Sequence, residues 1–170
     1  QVVTVNGVSK AWAMTGWRLG YIGASTMLAK AFDKVQGQFT SATCSIAQRA
    51  AIAAMKADPS VLSDMVAAFK SRRTLVLNRL QKMEGVRVNE PKGAFYFFPD
   101  ISSFFGKSYE NYTITNATDL SLFLLEKGNV ALVTGEAFGS PNCIRLSYAT
   151  SEDVLTEAMN RIEQALSLLK

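Results

Sequence analysis

Lys10 stands in the stretch Asn6-Gly7-Val8-Ser9-Lys10, and Arg18 follows eight residues later in Thr15-Gly16-Trp17-Arg18-Leu19-Gly20. A lysine amine is a nucleophile only when deprotonated. Burial and a neighbouring fixed cation both disfavour its ammonium form, so this spacing points to an activated amine with Arg18 as its cation. A planar guanidinium also suits a phosphate. Gly16, Gly20 and Gly23 permit close backbone approach, but they form neither a GxGxxG nor a GxxxxGK[ST] nucleotide loop. Taken alone, a lysine in a turn after a strand is most often a solvated surface residue. Arg145, in Cys143-Ile144-Arg145-Leu146-Ser147, reads by itself as a strand arginine in a surface ion pair.

The elements that must position these residues follow from periodicity. Residues 1–5 read as a β-branched strand, which Lys10 follows. Residues 26–36 carry apolar side chains at helical spacing until Gly37, and residues 46–57 form an Ala-rich helix capped by Ser45. After Pro59, Leu62, Met65, Phe69, Val76, Leu80 and Met83 recur at helical intervals, which predicts the longest helix, one able to bridge two domains. Beyond it come short strands at 86–88 and 94–98, a polar loop at 106–116, and a helix at 117–127. Strands at 130–133 and 144–147 then lead to a final helix whose apolar face is Leu155, Met159, Ile162, Leu166 and Leu169. The run Phe95-Tyr96-Phe97-Phe98 reads as core strand, and Arg72, Arg73 and Arg79 as a solvated helix face.

Composition excludes several classes. The 170 residues contain no histidine, so no Ser-His-Asp triad, Cys-His dyad or histidine metal site lies within the chain. Its net charge of +4 is modest and scattered, giving no footprint for nucleic acid. No apolar run reaches the roughly 18 residues of a membrane span. Cys44 and Cys143 are far apart and read as buried free thiols in a reducing compartment, so a soluble, cytoplasmic protein is expected.

The run Ser9-Lys10, Met14-Thr15-Gly16-Trp17-Arg18 and Gly20-Tyr21 resembles the cofactor-lysine signature of the class I aminotransferases that use pyridoxal 5'-phosphate, prokaryotic-type aspartate aminotransferases in particular. Three more stretches agree in order: residues 40–48, residues 91–96, and Gly135-Glu136-Ala137-Phe138-Gly139 leading to Arg145 and Ala149. The resemblance implies an α/β fold: the carboxyl-terminal part of a fold-type-I transferase, with the end of a large α/β domain, a long connecting helix and a small α+β domain. Residues 1–75 then belong to the large domain and 76–170 to the small one.

By the same resemblance, Lys10 matches the lysine that forms the internal aldimine and later shuttles a proton at the substrate Cα. Arg18 matches the arginine on the cofactor phosphate, where Ser9 adds a hydroxyl. Arg145 matches the arginine that grips the substrate α-carboxylate, and Phe138 lines that pocket. The sequence departs from the family at two places: Asn6 and Gly7 stand where a further phosphate serine is common, and Thr134 where proline precedes the glycine. The implied reaction exchanges an amino group between an amino acid, aspartate first, and a 2-oxo acid such as 2-oxoglutarate. Alanine and aromatic specificities stay open. The loop at 40–45 resembles one that reaches a neighbouring subunit, so a homodimer is expected. No metal is implied. The aspartate under the pyridine nitrogen and the ring-stacking aromatic are expected upstream of Gln1, so the 170 residues alone are expected to bind cofactor weakly. A non-catalytic folding or interaction module is the competing reading.

Overall fold

The computed structural model describes residues 2–170, so the first residue of the strand expected at 1–5 lies outside the described residues. The chain divides into two compact units, one ending at Ser63 and the other running Asp64–Lys170.

In the first unit, β1 (Thr4–Gly7) and β2 (Gly20–Gly23) form an antiparallel pair with Gly7 opposite Gly20. The backbones come so close there that a Cβ on Gly7 would lie 3.1 Å from the Leu19 carbonyl oxygen. Two helices follow, α1 (Thr26–Phe39) and α2 (Ser45–Lys56), then a 3-10 turn at Pro59–Leu62. Gly37 does not stop α1. One interior glycine costs a helix only about 1 kcal/mol, which the surrounding turns absorb. Ser45 is the first residue of α2 rather than its cap; Cys44 holds the cap position, where it is exposed rather than buried. Only Val8, Ala47 and Ala51 are buried among the described residues of this unit, while Met27, Phe32, Val35 and Phe39 of α1 face outward.

The second unit has a core of its own. The helix α3 (Ser63–Leu80) contributes Val76 and Leu80, with Met83 just beyond it. A three-stranded antiparallel sheet, ordered β3-β7-β6, comprises β3 (Tyr96–Phe97), β6 (Val133–Thr134) and β7 (Ile144–Ser147). The loop expected at 106–116 contains a small hairpin, β4 (Ser108–Tyr109) with β5 (Tyr112–Thr113), and residues 86–88 supply a single bridge from Arg87 to Asp100 instead of a strand. The helices α4 (Ala117–Gly128) and α5 (Glu152–Leu168) pack together through Leu120, Phe123 and Leu124 on one side and Leu155, Met159 and Ile162 on the other. Burying each such side chain contributes about 1.5–3 kcal/mol. The side chains of Asn116 and Ser151 accept from the amides of Asp119 and Val154 and so cap these helices, each cap contributing about 1 kcal/mol.

Two of the three clustered arginines tie elements together instead of lining a solvated face. Arg79 donates to Asn160 at 2.6 Å and pairs with Glu163 at 3.0 Å, joining α3 to α5, while Arg73 donates to the Pro91 carbonyl at 3.0 Å. No helix among the described residues is long and apolar enough to cross a membrane.

Candidate active site

The β1–β2 pair positions the first group of residues. Its connection, residues 8–19, is closed by the Val8 amide donating to the Leu19 carbonyl at 3.4 Å, and it carries Ser9, Lys10 and Arg18. Val8 is fully buried and anchors the connection; Ser9 is half-buried and Lys10 exposed in the turn that follows. Lys10 therefore stands three residues past the end of the strand, and the burial expected around its amine is not supplied by this unit.

Arg18 ends the 3-10 turn Thr15–Trp17 in the left-handed region, at φ 51° and ψ 50°. A non-glycine residue held there costs about 1 kcal/mol or more, a strain that clusters at functional positions. Its Nη1 donates to the Thr15 carbonyl at 3.0 Å. Arg18 lines a cleft of ≈ 660 Å³ together with Thr40, Ala42, Thr43 and Cys44 of the loop between α1 and α2. The amides of Ala47 and Ile46 hold the Cys44 thiol below its usual pKa. Asn6, at a position where the sequence departs from the family pattern, turns its Oδ1 onto the Gly7 amide at 2.7 Å.

An amine, a hydroxyl and a guanidinium on one short connection make a donor set that fits a phosphorylated aldehyde. The amine suits the carbonyl carbon, and the other two suit the phosphate. Pyridoxal phosphate has both groups.

The second group is built by the sheet of the second unit. Pleating sends Ile144 and Leu146 of β7 into the core, so Arg145 and Ser147 lie on the opposite face. A 3-10 turn, Gly135–Phe138, brings Phe138 over that face. Thr134, the second departure, caps this turn: its hydroxyl accepts from the Glu136 amide at 3.4 Å and from the Thr118 hydroxyl at 3.1 Å. The Arg145 guanidinium carbon then lies 4.6 Å from the Phe138 ring centroid and 4.6 Å from that of Tyr96. Arg145 joins no ion pair among the described residues, contrary to the surface pair that its sequence context alone gives.

Arg145 and Phe138 are thus brought together within the second unit, whereas Ser9, Lys10 and Arg18 share one connection of the first and the cleft beside Arg18 is lined by neither Ser9 nor Lys10. Sequence reasoning missed Tyr96, treating it as core. The signal that could have found it is the pairing of Tyr96 with Ser147, which places its ring on the Arg145 face.

Residues 1–162 match the family described as aminotransferase class I and II. The chain belongs to that family. An aspartate aminotransferase from Pinus pinaster is 48% identical over 174 residues, spanning 100% of this chain and 35% of its own length. The crystal structure of the aspartate aminotransferase from Rhizobium meliloti superposes with a TM-score of 0.94 at 44% identity, covering 99% of this chain and 42% of that one. An aromatic aminotransferase from Pyrococcus horikoshii OT3 superposes at 0.87 with 37% identity, over 97% and 42% respectively. The chain therefore spans about two fifths of the length of the relatives it matches, and its fold is a portion of the class I aminotransferase fold.

Proposed function

We propose that the protein containing this chain transfers an amino group from an amino acid, aspartate, to a 2-oxo acid such as 2-oxoglutarate, using pyridoxal 5'-phosphate held by Lys10. The observation that carries this reading is Arg145. Its guanidinium carbon lies 4.6 Å from each of two ring centroids and no ion pair among the described residues holds it, so its donors remain for a ligand carboxylate. The names of the Pinus and Rhizobium relatives support aspartate as the substrate. The aromatic relative superposes nearly as well, so side-chain specificity rests on residues other than this shared frame.

In this reading residues 1–75 continue a large cofactor domain and residues 76–170 form the small domain. Bound pyridoxal phosphate supplies the electron sink that stabilises negative charge at the substrate Cα. Lys10 supplies the amine that holds it covalently and then carries the proton at that carbon. Arg18, with the Ser9 hydroxyl, binds the phosphate. Arg145 orients the substrate carboxylate, and Phe138 covers one face of that ion pair and keeps water from it.

Arg145→Lys tests the assignment. Lysine keeps the charge but loses the paired donors, so both half-reactions should weaken by roughly 1.5 to 3 kcal/mol, read from kcat/KM, while cofactor binding survives. An amine without an α-carboxylate should be almost indifferent to the change. If aspartate turnover is spared, or the carboxylate-free amine suffers equally, Arg145 is a structural strand residue.

The loop wall shared with Arg18 and the outward apolar side chains of α1 support a homodimer, with residues 40–45 reaching the neighbour's site. Sedimentation of the full-length protein should show a dimer at assay concentration; a fully active monomer there would refute this arrangement.

A further inference from the structure

We propose that Tyr96 is a positioning residue for Arg145, acting through its ring face; this rests on the carboxylate-binding role given to Arg145 above. Tyr96 pairs with Ser147 and Phe97 with Leu146 across β3 and β7. Side chains opposite each other share a face, and Ser147 shares its face with Arg145 two residues before it. The register alone therefore delivers the Tyr96 ring diagonally onto Arg145, at 4.6 Å from the guanidinium carbon. Phe98 meets Phe138 edge to face at 6.0 Å on the other side, and Phe95 lies 4.3 Å from Tyr96, so each plate is itself backed by a ring.

The two plates are not equivalent. Phe138 belongs to a turn and is 51% exposed, whereas Tyr96 is half-buried and fixed by the strand ladder. Tyr96 is the plate that sets where the guanidinium stands.

An arginine that must bind an incoming carboxylate faces a difficulty. Any carboxylate of the protein that held it in place would occupy the donors that the ligand needs. Aromatic faces avoid this competition, because a ring face attracts the cation through its quadrupole without accepting a hydrogen bond from the five N–H groups. The Tyr96 hydroxyl forms no hydrogen bond among the described residues, so the ring is the part that acts, and phenylalanine should replace it.

The test uses the full-length protein with its cofactor, succinate as a carboxylate probe that cannot react, and Tyr96→Phe, Tyr96→Leu and Arg145→Lys. Tyr96→Leu should weaken succinate binding by roughly fivefold to tenfold and raise KM for both substrates with little change in kcat. Tyr96→Phe should restore both to within about twofold of the unsubstituted protein. A second readout needs no turnover. The Arg145 Nε–H proton resonance should be shifted upfield by the ring, should keep that shift in Tyr96→Phe, and should lose it in Tyr96→Leu. If Tyr96→Leu binds succinate normally while Arg145→Lys does not, the inference about Tyr96 fails and the role of Arg145 stands. If Arg145→Lys also binds normally, the carboxylate reading fails and this inference with it. Equal losses in the phenylalanine and leucine variants, or no upfield shift in the unsubstituted protein, would overturn action through the ring face.

Discussion

Replacing Lys10 with alanine in the full-length protein should lower transamination by about a thousandfold or more, the largest functional loss expected of any single substitution in this chain. A positioned general acid–base contributes about 10² to 10⁴ in rate by itself, and the same amine is assigned the covalent hold on the cofactor, so one truncation removes both. Cofactor affinity should fall far less, because the phosphate contacts proposed for Arg18 and Ser9 do not involve the Lys10 amine. Borohydride reduction followed by peptide mapping should place the pyridoxyl group on Lys10 in the unsubstituted protein and nowhere in Lys10→Ala. The exposed lysines of α1, Lys30 and Lys34, are the built-in comparison, since neither lies on the connection between β1 and β2. A label on either of them, or turnover within tenfold of normal in Lys10→Ala, would remove the lysine assignment.

What could be read from the sequence was whatever depends on near neighbours along the chain. The α5 face at Leu155, Met159, Ile162, Leu166 and Leu169 is buried as its spacing demands, and α4 ends within one residue of its expected stop. The placement of Lys10 and Arg18 on one connection is equally local. The strand β2 was hidden because Gly20 and Gly23 carry no β-branched signal; it forms because Gly7 opposite Gly20 permits backbones to meet closely. The β4–β5 hairpin is only two residues deep, too short for an alternating pattern. Tyr96 was misread for another reason. Whether a residue of an aromatic run faces core or site depends on its partner in β7, far along the sequence, and a shift of one residue reverses every face. The outward Met27, Phe32, Val35 and Phe39 mark a third boundary, since an apolar stripe states that a face seeks cover without stating what covers it.

A large loss of stability should come from Gly135→Ala, a change of one methyl group. Gly135 is buried at the start of the 3-10 turn that carries Phe138, where its amide donates to the Cys143 carbonyl at 2.7 Å and its carbonyl accepts from the Ser140 amide at 3.0 Å. A Cβ built there would lie 2.3 Å from the Ser140 carbonyl oxygen and 2.4 Å from that of Cys143. Both are backbone atoms, so no side chain can rotate away; the turn and the start of β7 must separate. Overpacking costs about 1–3 kcal/mol when side chains can yield, and with backbone on both sides the cost should be at the upper end, about 3 kcal/mol. Thermal denaturation should show a clear drop in melting temperature. Gly93→Ala is the control, because a Cβ there meets nothing within 4 Å and the loss should be within about 0.5 kcal/mol. The two effects are also linked to function. Separating the turn from β7 moves Phe138 off Arg145, so the Gly135→Ala protein that remains folded at low temperature should bind carboxylates more weakly, while cofactor affinity, which is proposed to rest on Lys10 and Arg18, should be unchanged. Equal melting temperatures for the two alanine variants would mean that the turn yields freely, and the geometry that places Phe138 would then not be enforced by Gly135.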